Sequence, residues 1–314
     1  MRILKPLIEQ RADPFIYKHV DGRYYFTASV PAYDCIELRC SDRIAGLAEA
    51  EPVVVWRKPD SGPMSELIWA PEIHHNKGHW YVYFAAAPSR EIKDSLFQHR
   101  MYAICCKDSD PLNGKWSEPV QIKTPMESFS LDATTFTHKG RLYYVWAQKD
   151  TAITGNSNLY IAEMDTPVTL KTNPVMISKP EYDWETRGFW VNEGPAVIVK
   201  NDKVFITYSA SATDENYCMG LLYSNSDSDL LDPSSWIKST SPVFSSCYEH
   251  GVYGPGHSSF TISEDCSKDI LVYHARTYTE IVGDPLWDPN RHTFVKEIKW
   301  KAGTPDLGRP SCQE

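Results

Sequence analysis

Four carboxylates and one histidine recur at nearly even spacing along the 314-residue chain: Asp13, Glu72, Asp132, Glu193 and His257. The intervals are 59, 60, 61 and 64 residues. Each sits in a short signature, namely Asp13-Pro14-Phe15, Ala70-Pro71-Glu72, Leu131-Asp132-Ala133, Asn192-Glu193-Gly194-Pro195 and Gly254-Pro255-Gly256-His257. Acids at strand starts are ordinary turn chemistry, and that reading covers one or two of the cases. It is strained for Asp132, between Leu131 and Ala133, and for Glu193, ahead of Gly-Pro. Like charges held together raise one another's pKa, which separates an acid from a base. Two carboxyls across a pocket can hydrolyse a glycosidic bond: one protonates the leaving oxygen, and the other activates water or attacks the sugar. The competing use of such a cluster is an oxygen-rich cation site. The two coexist if His257 faces an ion or a water.

These residues need elements that bring them together. Each signature leads into a strand, a turn and an aromatic-rich strand: Tyr24-Tyr25-Phe26, Trp80 to Phe84, Leu142 to Trp146, Val204 to Tyr208 and Ile270 to Tyr273. A third strand, a Ser/Asp-rich turn and a further β-rich run follow, more loosely in the last unit, where Trp287-Asp288 precedes Thr293-Phe294-Val295. Helical periodicity is almost absent. The pattern predicts an all-β fold, a five-bladed β-propeller with four antiparallel strands per blade. It reads as a single domain over 1–314, with blades at roughly 10–65, 66–127, 128–188, 189–250 and 251–314. The units exceed the ~40–45 residues of a WD-type blade, so the loops must be long, and loops carry function. If the first strand of each unit lines the channel, the five signatures meet at one mouth.

Composition narrows the partners. A net charge of −9 argues against nucleic acid and anionic membranes. There is no apolar run long enough to span a bilayer, and residues 1–10 lack the apolar core of a signal peptide. The expectation is a cytoplasmic protein, or a secreted one if a leader peptide is absent from this sequence; protein partners are not indicated. The eight cysteines include no C-x-x-C pair and read as reduced thiols. His74 and His75 point to opposite faces of a strand and His79 follows a turn, which disfavours zinc. No nucleophile elbow, H-E-x-x-H or phosphate-binding loop occurs. The 10 Trp, 18 Tyr and 11 Phe suit either β-sheet cores or the stacking of sugar rings.

Arg11-Ala12-Asp13-Pro14-Phe15, Trp69-Ala70-Pro71-Glu72, Ser130-Leu131-Asp132-Ala133, Val191-Asn192-Glu193-Gly194-Pro195, Gly254-Pro255-Gly256-His257 and Tyr273-His274-Ala275-Arg276 together resemble glycoside hydrolase family 43, in order and over nearly the whole chain. The resemblance implies a five-bladed propeller acting with inversion on arabinose- or xylose-containing polysaccharides. It implies Asp13 as general base, Glu193 as general acid, and Asp132 as the residue that tunes and orients Glu193. It also implies Trp69 as a wall of the sugar pocket, with Trp190 a second stacking residue, and Arg276 near the base and the sugar hydroxyls. His257 would contact a calcium or sodium ion through water, a structural or electrostatic ion outside the chemistry, which requires no cofactor. Glu72 has no role in the three-residue scheme and reads as a supporting residue.

The Trp-Val-Asn-Glu-Gly-Pro form around Glu193 looks more like exo-acting arabinofuranosidases than endo-arabinanases. The expected substrate is therefore arabinan or arabino-oligosaccharides, losing terminal α-L-arabinofuranose. A β-xylosidase or an endo-arabinanase is the alternative within the family, and a non-catalytic carbohydrate-binding propeller the alternative outside it. The insertions around Arg90–Arg100 and Pro180–Phe189 are the segments expected to close one end of a cleft.

Overall fold

The computed structural model describes residues 5–310. Five antiparallel sheets follow one another along the chain. The first contains β1 (Ala12–Lys18), β2 (Tyr24–Ser29), β3 (Cys35–Ser41) and β4 (Val53–Arg57). The second contains β5 (Glu66–Asn76), β6 (His79–Ala87), β7 (Arg100–Cys106) and β8 (Val120–Gln121). The third runs β9 (Ser130–His138), β10 (Arg141–Gln148) and β11 (Asn158–Thr166), with both β12 (Thr169–Leu170) and β13 (Val175–Ser178) pairing to β11. The fourth holds β14 (Asn192–Lys200), β15 (Lys203–Ala210), β16 (Cys218–Asn225) and β17 (Ile237–Lys238). The fifth holds β18 (Tyr253–Ile262), β19 (Asp269–Arg276) and β20 (His292–Glu297); β21 (Lys299–Lys301) and β22 (Thr304–Asp306) form a separate ribbon. Each sheet is a blade. The inner strands β1, β5, β9, β14 and β18 touch their neighbours in a closed ring, the arrangement the repeat predicts.

Local chemistry sets the hairpins. Lys77-Gly78, Lys139-Gly140 and Asn201-Asp202 all have φ between 48° and 83°. Two successive positive φ angles make the type I′ turn, whose twist matches that of the flanking strands. The second strands are buried on both faces, as in Tyr143 to Ala147 and Val204 to Ala210, because blades pack face to face around the ring. Aromatic and aliphatic side chains fill the gaps between blades. Tyr83, Tyr144, Trp146 and Ile206 belong to one such cluster, Ile36, Trp80 and Phe84 to another, and Phe244, Tyr273 and Phe294 to a third. The aromatic surplus is therefore mostly core.

The fifth blade closes the ring in a way no local signal announces. Its outer edge is met by the start of the chain: Leu7 N–H donates to the Thr293 carbonyl and Thr293 N–H to the Ile8 carbonyl, both at 2.8 Å. Trp287 ends a short helical turn, and β20, with Thr293-Phe294-Val295, follows it as the sequence pattern expects. Seven cysteines are unbridged, and Cys312 lies outside the described residues.

The five inner strands share a bulge. In each, two residues oppose one on the second strand: Asp13-Pro14, Ala70-Pro71, Asp132-Ala133, Gly194-Pro195 and His257-Ser258. The first residue of every pair is left-handed, with φ of 55°, 45°, 55°, 53° and 41° respectively. Such bulges re-aim side chains at functional sites. They also free an N–H, which reaches the preceding blade. Asp13 N–H donates to His274 Nδ1, Ala70 N–H to Ser29 Oγ and His257 N–H to Ser209 Oγ. Ser29, Ser209 and His274 occupy one repeat position, opposite Ala12, Glu193 and Gly256. In the third blade that position is Ala147, which cannot accept, and Gly194 N–H donates instead to Asp132 Oδ2 at 3.1 Å.

Candidate active site

The bulge fixes the true register of the signature residues. Asp13, Asp132 and His257 are equivalent, and their counterparts in the second and fourth blades are Ala70 and Gly194. Glu193 stands one residue before its bulge, level with Trp69. Glu72 stands beyond its bulge, level with Phe15, where His74 Nε2 lies 2.8 Å from its carboxylate. Even spacing therefore over-counted the equivalence of the five. Glu72 holds a deeper position, and Glu193 is aimed differently from Asp13.

Asp13 is buried among cationic and hydrogen-bonding groups. Its Oδ1 lies 3.3 Å from Nδ1 of both His257 and His274 and 3.6 Å from Nη1 of Arg291, and its Oδ2 accepts from Ser29 Oγ at 2.6 Å. Burial alone would raise its pKa, but His257, Arg291 and His274 outweigh it and hold the carboxyl well below the usual range. Arg291 carries the permanent charge here. Burial drives both imidazoles down, His274 to about 3, so they are neutral near pH 7. His274 Nδ1 is an acceptor for the Asp13 amide, which fits that neutral form.

Glu193 has the opposite environment. It is half-buried with one close donor, the Tyr217 hydroxyl, at 2.8 Å from Oε1. Burial pushes it up to about 7; the Tyr217 hydrogen bond opposes this and the Asp13 charge adds to it. Asp132 is raised well above the carboxylate range by burial and then by the charges of Glu193 and Asp13. Two carboxyls that repel each other this closely titrate as a pair. Near neutral pH the site thus holds one ionised carboxylate, Asp13, facing a pair that retains a proton. Gly194 allows this closeness: a Cβ there would sit 3.1–3.3 Å from His257, at a φ of +53° that favours glycine.

The profile model for glycosyl hydrolases family 43 matches residues 3–305. The chain belongs to that family. It is 52% identical over 306 residues to an extracellular exo-α-(1→5)-L-arabinofuranosidase of Streptomyces avermitilis, covering 97% of this chain and 63% of that protein. It is 49% identical to a protein of the same name from Streptomyces chartreusis, over 89% of this chain and 84% of the other. Among solved structures, an α-L-arabinofuranosidase from Lactobacillus brevis superposes with a TM-score of 0.97 at 59% identity, covering 99% of this chain and 97% of that one. The chain thus spans about 63% of the length of the S. avermitilis relative.

Trp69 and Trp190, the stacking residues the resemblance implies, stand beside the second-blade and fourth-blade signatures. Trp69 precedes the second-blade bulge, stacks on His99 at 3.9 Å between ring centres, and meets Phe97 and Tyr33 edge-on. Phe97 and His99 belong to the Arg90–Arg100 segment, which therefore backs this wall. Trp190 is 43% exposed beside exposed Phe189, three residues before Glu193. The Pro180–Phe189 segment turns inward between these points. Its Glu185 is wholly buried, accepts from Tyr208 and Asn192, and pairs with Lys238 at 2.8 Å. Asn192 also takes a 2.6 Å hydrogen bond from Ser178, so the residue before the acid is locked from two sides.

Arg276 lies near Arg291 but has its own partners. Its guanidinium is occupied by the carbonyls of Thr213 and Pro285 and by Asp288. The guanidinium beside Asp13 is that of Arg291, held by a 2.8 Å hydrogen bond to the Tyr33 hydroxyl. Sequence reasoning missed Arg291, His274, Tyr217, Ser29 and Ser209. Alternation along Tyr273-His274-Ala275-Arg276 puts His274 and Arg276 on one face, and the paired position in the repeat would have selected His274.

Proposed function

We propose that the chain is an exo-acting α-L-arabinofuranosidase that releases terminal arabinofuranose from 1,5-linked arabinan or its oligosaccharides by a single inverting displacement. The observation that carries this is the contrast between two carboxyls of one site: buried Asp13, set against Arg291 and Ser29 and held ionised, and half-buried Glu193, whose one close donor is Tyr217 and which is pushed up to about 7. Environments that drive two such groups apart assign base and acid. The names of the relatives at 49–59% identity favour arabinofuranose as the sugar. Two of those names include the word extracellular, which favours the secreted alternative for this chain as well.

In this reading Asp13 Oδ1 accepts a proton from water as the water attacks the anomeric carbon. Arg291, His257 Nδ1–H and the Ser29 hydroxyl keep Asp13 ionised, while His274 holds its backbone N–H and so its aim. Glu193 gives its proton to the glycosidic oxygen as the C1–O bond breaks. Asp132, anchored by Gly194 N–H, forms with Glu193 the pair that retains a proton, and it keeps the fourth-blade strand in register. Trp69 forms the apolar wall for a sugar face, and exposed Trp190 lies on the side of the leaving group.

The donor set also suits a hard cation reached through water. His257 Nδ1 faces Asp13 and Asp132, which leaves Nε2 as the free lone pair, and Glu72 adds negative charge nearby. A calcium or sodium ion there would offset carboxylate charge, while the proton transfers remain with Asp13 and Glu193.

A time course on linear 1,5-arabinan tests the assignment. Arabinose as sole product from the first minutes is the expected result. A ladder of oligosaccharides would identify an endo-enzyme with an open cleft. Turnover of xylo-oligosaccharides alone would identify a xylosidase, and no turnover of either would leave a binding propeller.

A further inference from the structure

Tyr217 is a buried residue of this site with no assigned role. It lies immediately before β16, is 2% exposed, and its hydroxyl donates to Glu193 Oε1 at 2.8 Å. Its ring lies parallel to His274, with 5.6 Å between centres and a 5° angle between planes. Gly256, paired with His274 across the sheet, makes room for the ring: a Cβ there would stand 2.3 Å from Tyr217 Cε1. The phenol thus packs against both Gly256 and the imidazole that accepts from the Asp13 amide. Burial, and then the charges of Glu193, Asp132 and Asp13, raise its own pKa well above 10, so it remains a donor throughout the working range.

We propose that Tyr217 is a positioning residue that selects which oxygen of Glu193 carries the transferable proton and stabilises the carboxylate left after transfer. A hydroxyl that donates to Oε1 makes that oxygen an acceptor, so the acid proton resides on Oε2. When the C1–O bond breaks, the Oε2 proton moves to the departing oxygen and the carboxylate charge develops facing the Tyr217 O–H. Such a charge-assisted bond strengthens as the transition state forms, which is where binding accelerates a reaction. The ring's contact with His274 links acid and base. This inference deepens the arabinofuranosidase reading and rests on it.

Tyr217→Phe keeps the ring and removes the donor. On arabino-oligosaccharides, kcat is expected to fall about tenfold with KM little changed, whereas a dinitrophenyl arabinofuranoside, whose leaving group needs no proton, should lose about twofold or less. The Glu193 carboxyl band, assigned by infrared difference against Glu193→Gln, should titrate about one pH unit higher in the variant. Equal losses on both substrates, or an unmoved infrared midpoint, would overturn the inference. The infrared titration needs no substrate, so it decides the role of Tyr217 even if wild-type protein turns over no arabinofuranoside, a result that would sink the proposed function instead.

Discussion

Glu193→Gln is expected to lower kcat on arabino-oligosaccharides by about 10²–10⁴-fold, the range supplied by a positioned general acid. The amide keeps an oxygen for Tyr217 and adds no bulk, so the fold should survive. Two features separate loss of an acid from loss of structure. The first is the leaving group: aryl arabinofuranosides with acidic phenols should recover most of the rate. The second is pH. In the wild type, the rate should fall as pH rises through about 7, because the half-buried acid then loses its proton. In Glu193→Gln that descending limb should vanish. The acidic limb lies far lower, since Asp13 is held well below the ordinary carboxylate range. Rates measured across pH on both substrate classes check each point.

Asp13→Asn is expected to cost a similar 10²–10⁴-fold in kcat, but with no recovery on aryl substrates, because water must still be activated whatever the leaving group. It should also destabilise the protein. Arg291 is buried against Asp13 Oδ1 at 3.6 Å, and removing one partner of a buried pair costs up to about 3 kcal/mol. The sign with pH follows from the depressed pKa. Stability from the ionised Asp13 is present above the ordinary carboxylate range and is lost as pH falls toward the native value. The gap between wild type and variant in thermal unfolding should therefore narrow in acid. Arg291→Met combined with Asp13→Asn should recover part of the lost stability and none of the activity.

Much of the fold was legible because it repeats. Signatures at nearly even spacing, type I′ turns at Lys77-Gly78 and Lys139-Gly140, and aromatic second strands are local signals, and five copies reinforce one another. The ring closure was not legible. Leu7 and Ile8 pair with Thr293 across almost the whole chain, and nothing in either segment announces the other. The site divides the same way. Asp13, Asp132 and Glu193 lie on first strands inside signatures and could be read directly. Their partners lie on second strands or on loops with freer spacing: Ser29 and His274 on β2 and β19, Tyr217 before β16, Arg291 ahead of β20. Arg276 drew attention because it shares a signature with His274, yet it braces the loops at Thr213 and Pro285. Glu72 drew attention through its spacing and its place at the end of the Trp69-Ala70-Pro71-Glu72 signature. Spacing counts residues, whereas the bulge decides which of them occupies the mouth, and in the second blade the bulged residue is Ala70.

The measurement that bears most directly on the account is the configuration of the first arabinose released. Proton NMR during the first turnovers of an arabino-oligosaccharide resolves the two furanose anomers before they equilibrate. A single displacement by water held on Asp13, with Glu193 as acid, predicts β-arabinofuranose as the initial product from an α-linked substrate. Initial α-arabinofuranose would mean retention through a covalent intermediate, and would contradict the assignment of Asp13 as a base acting through water.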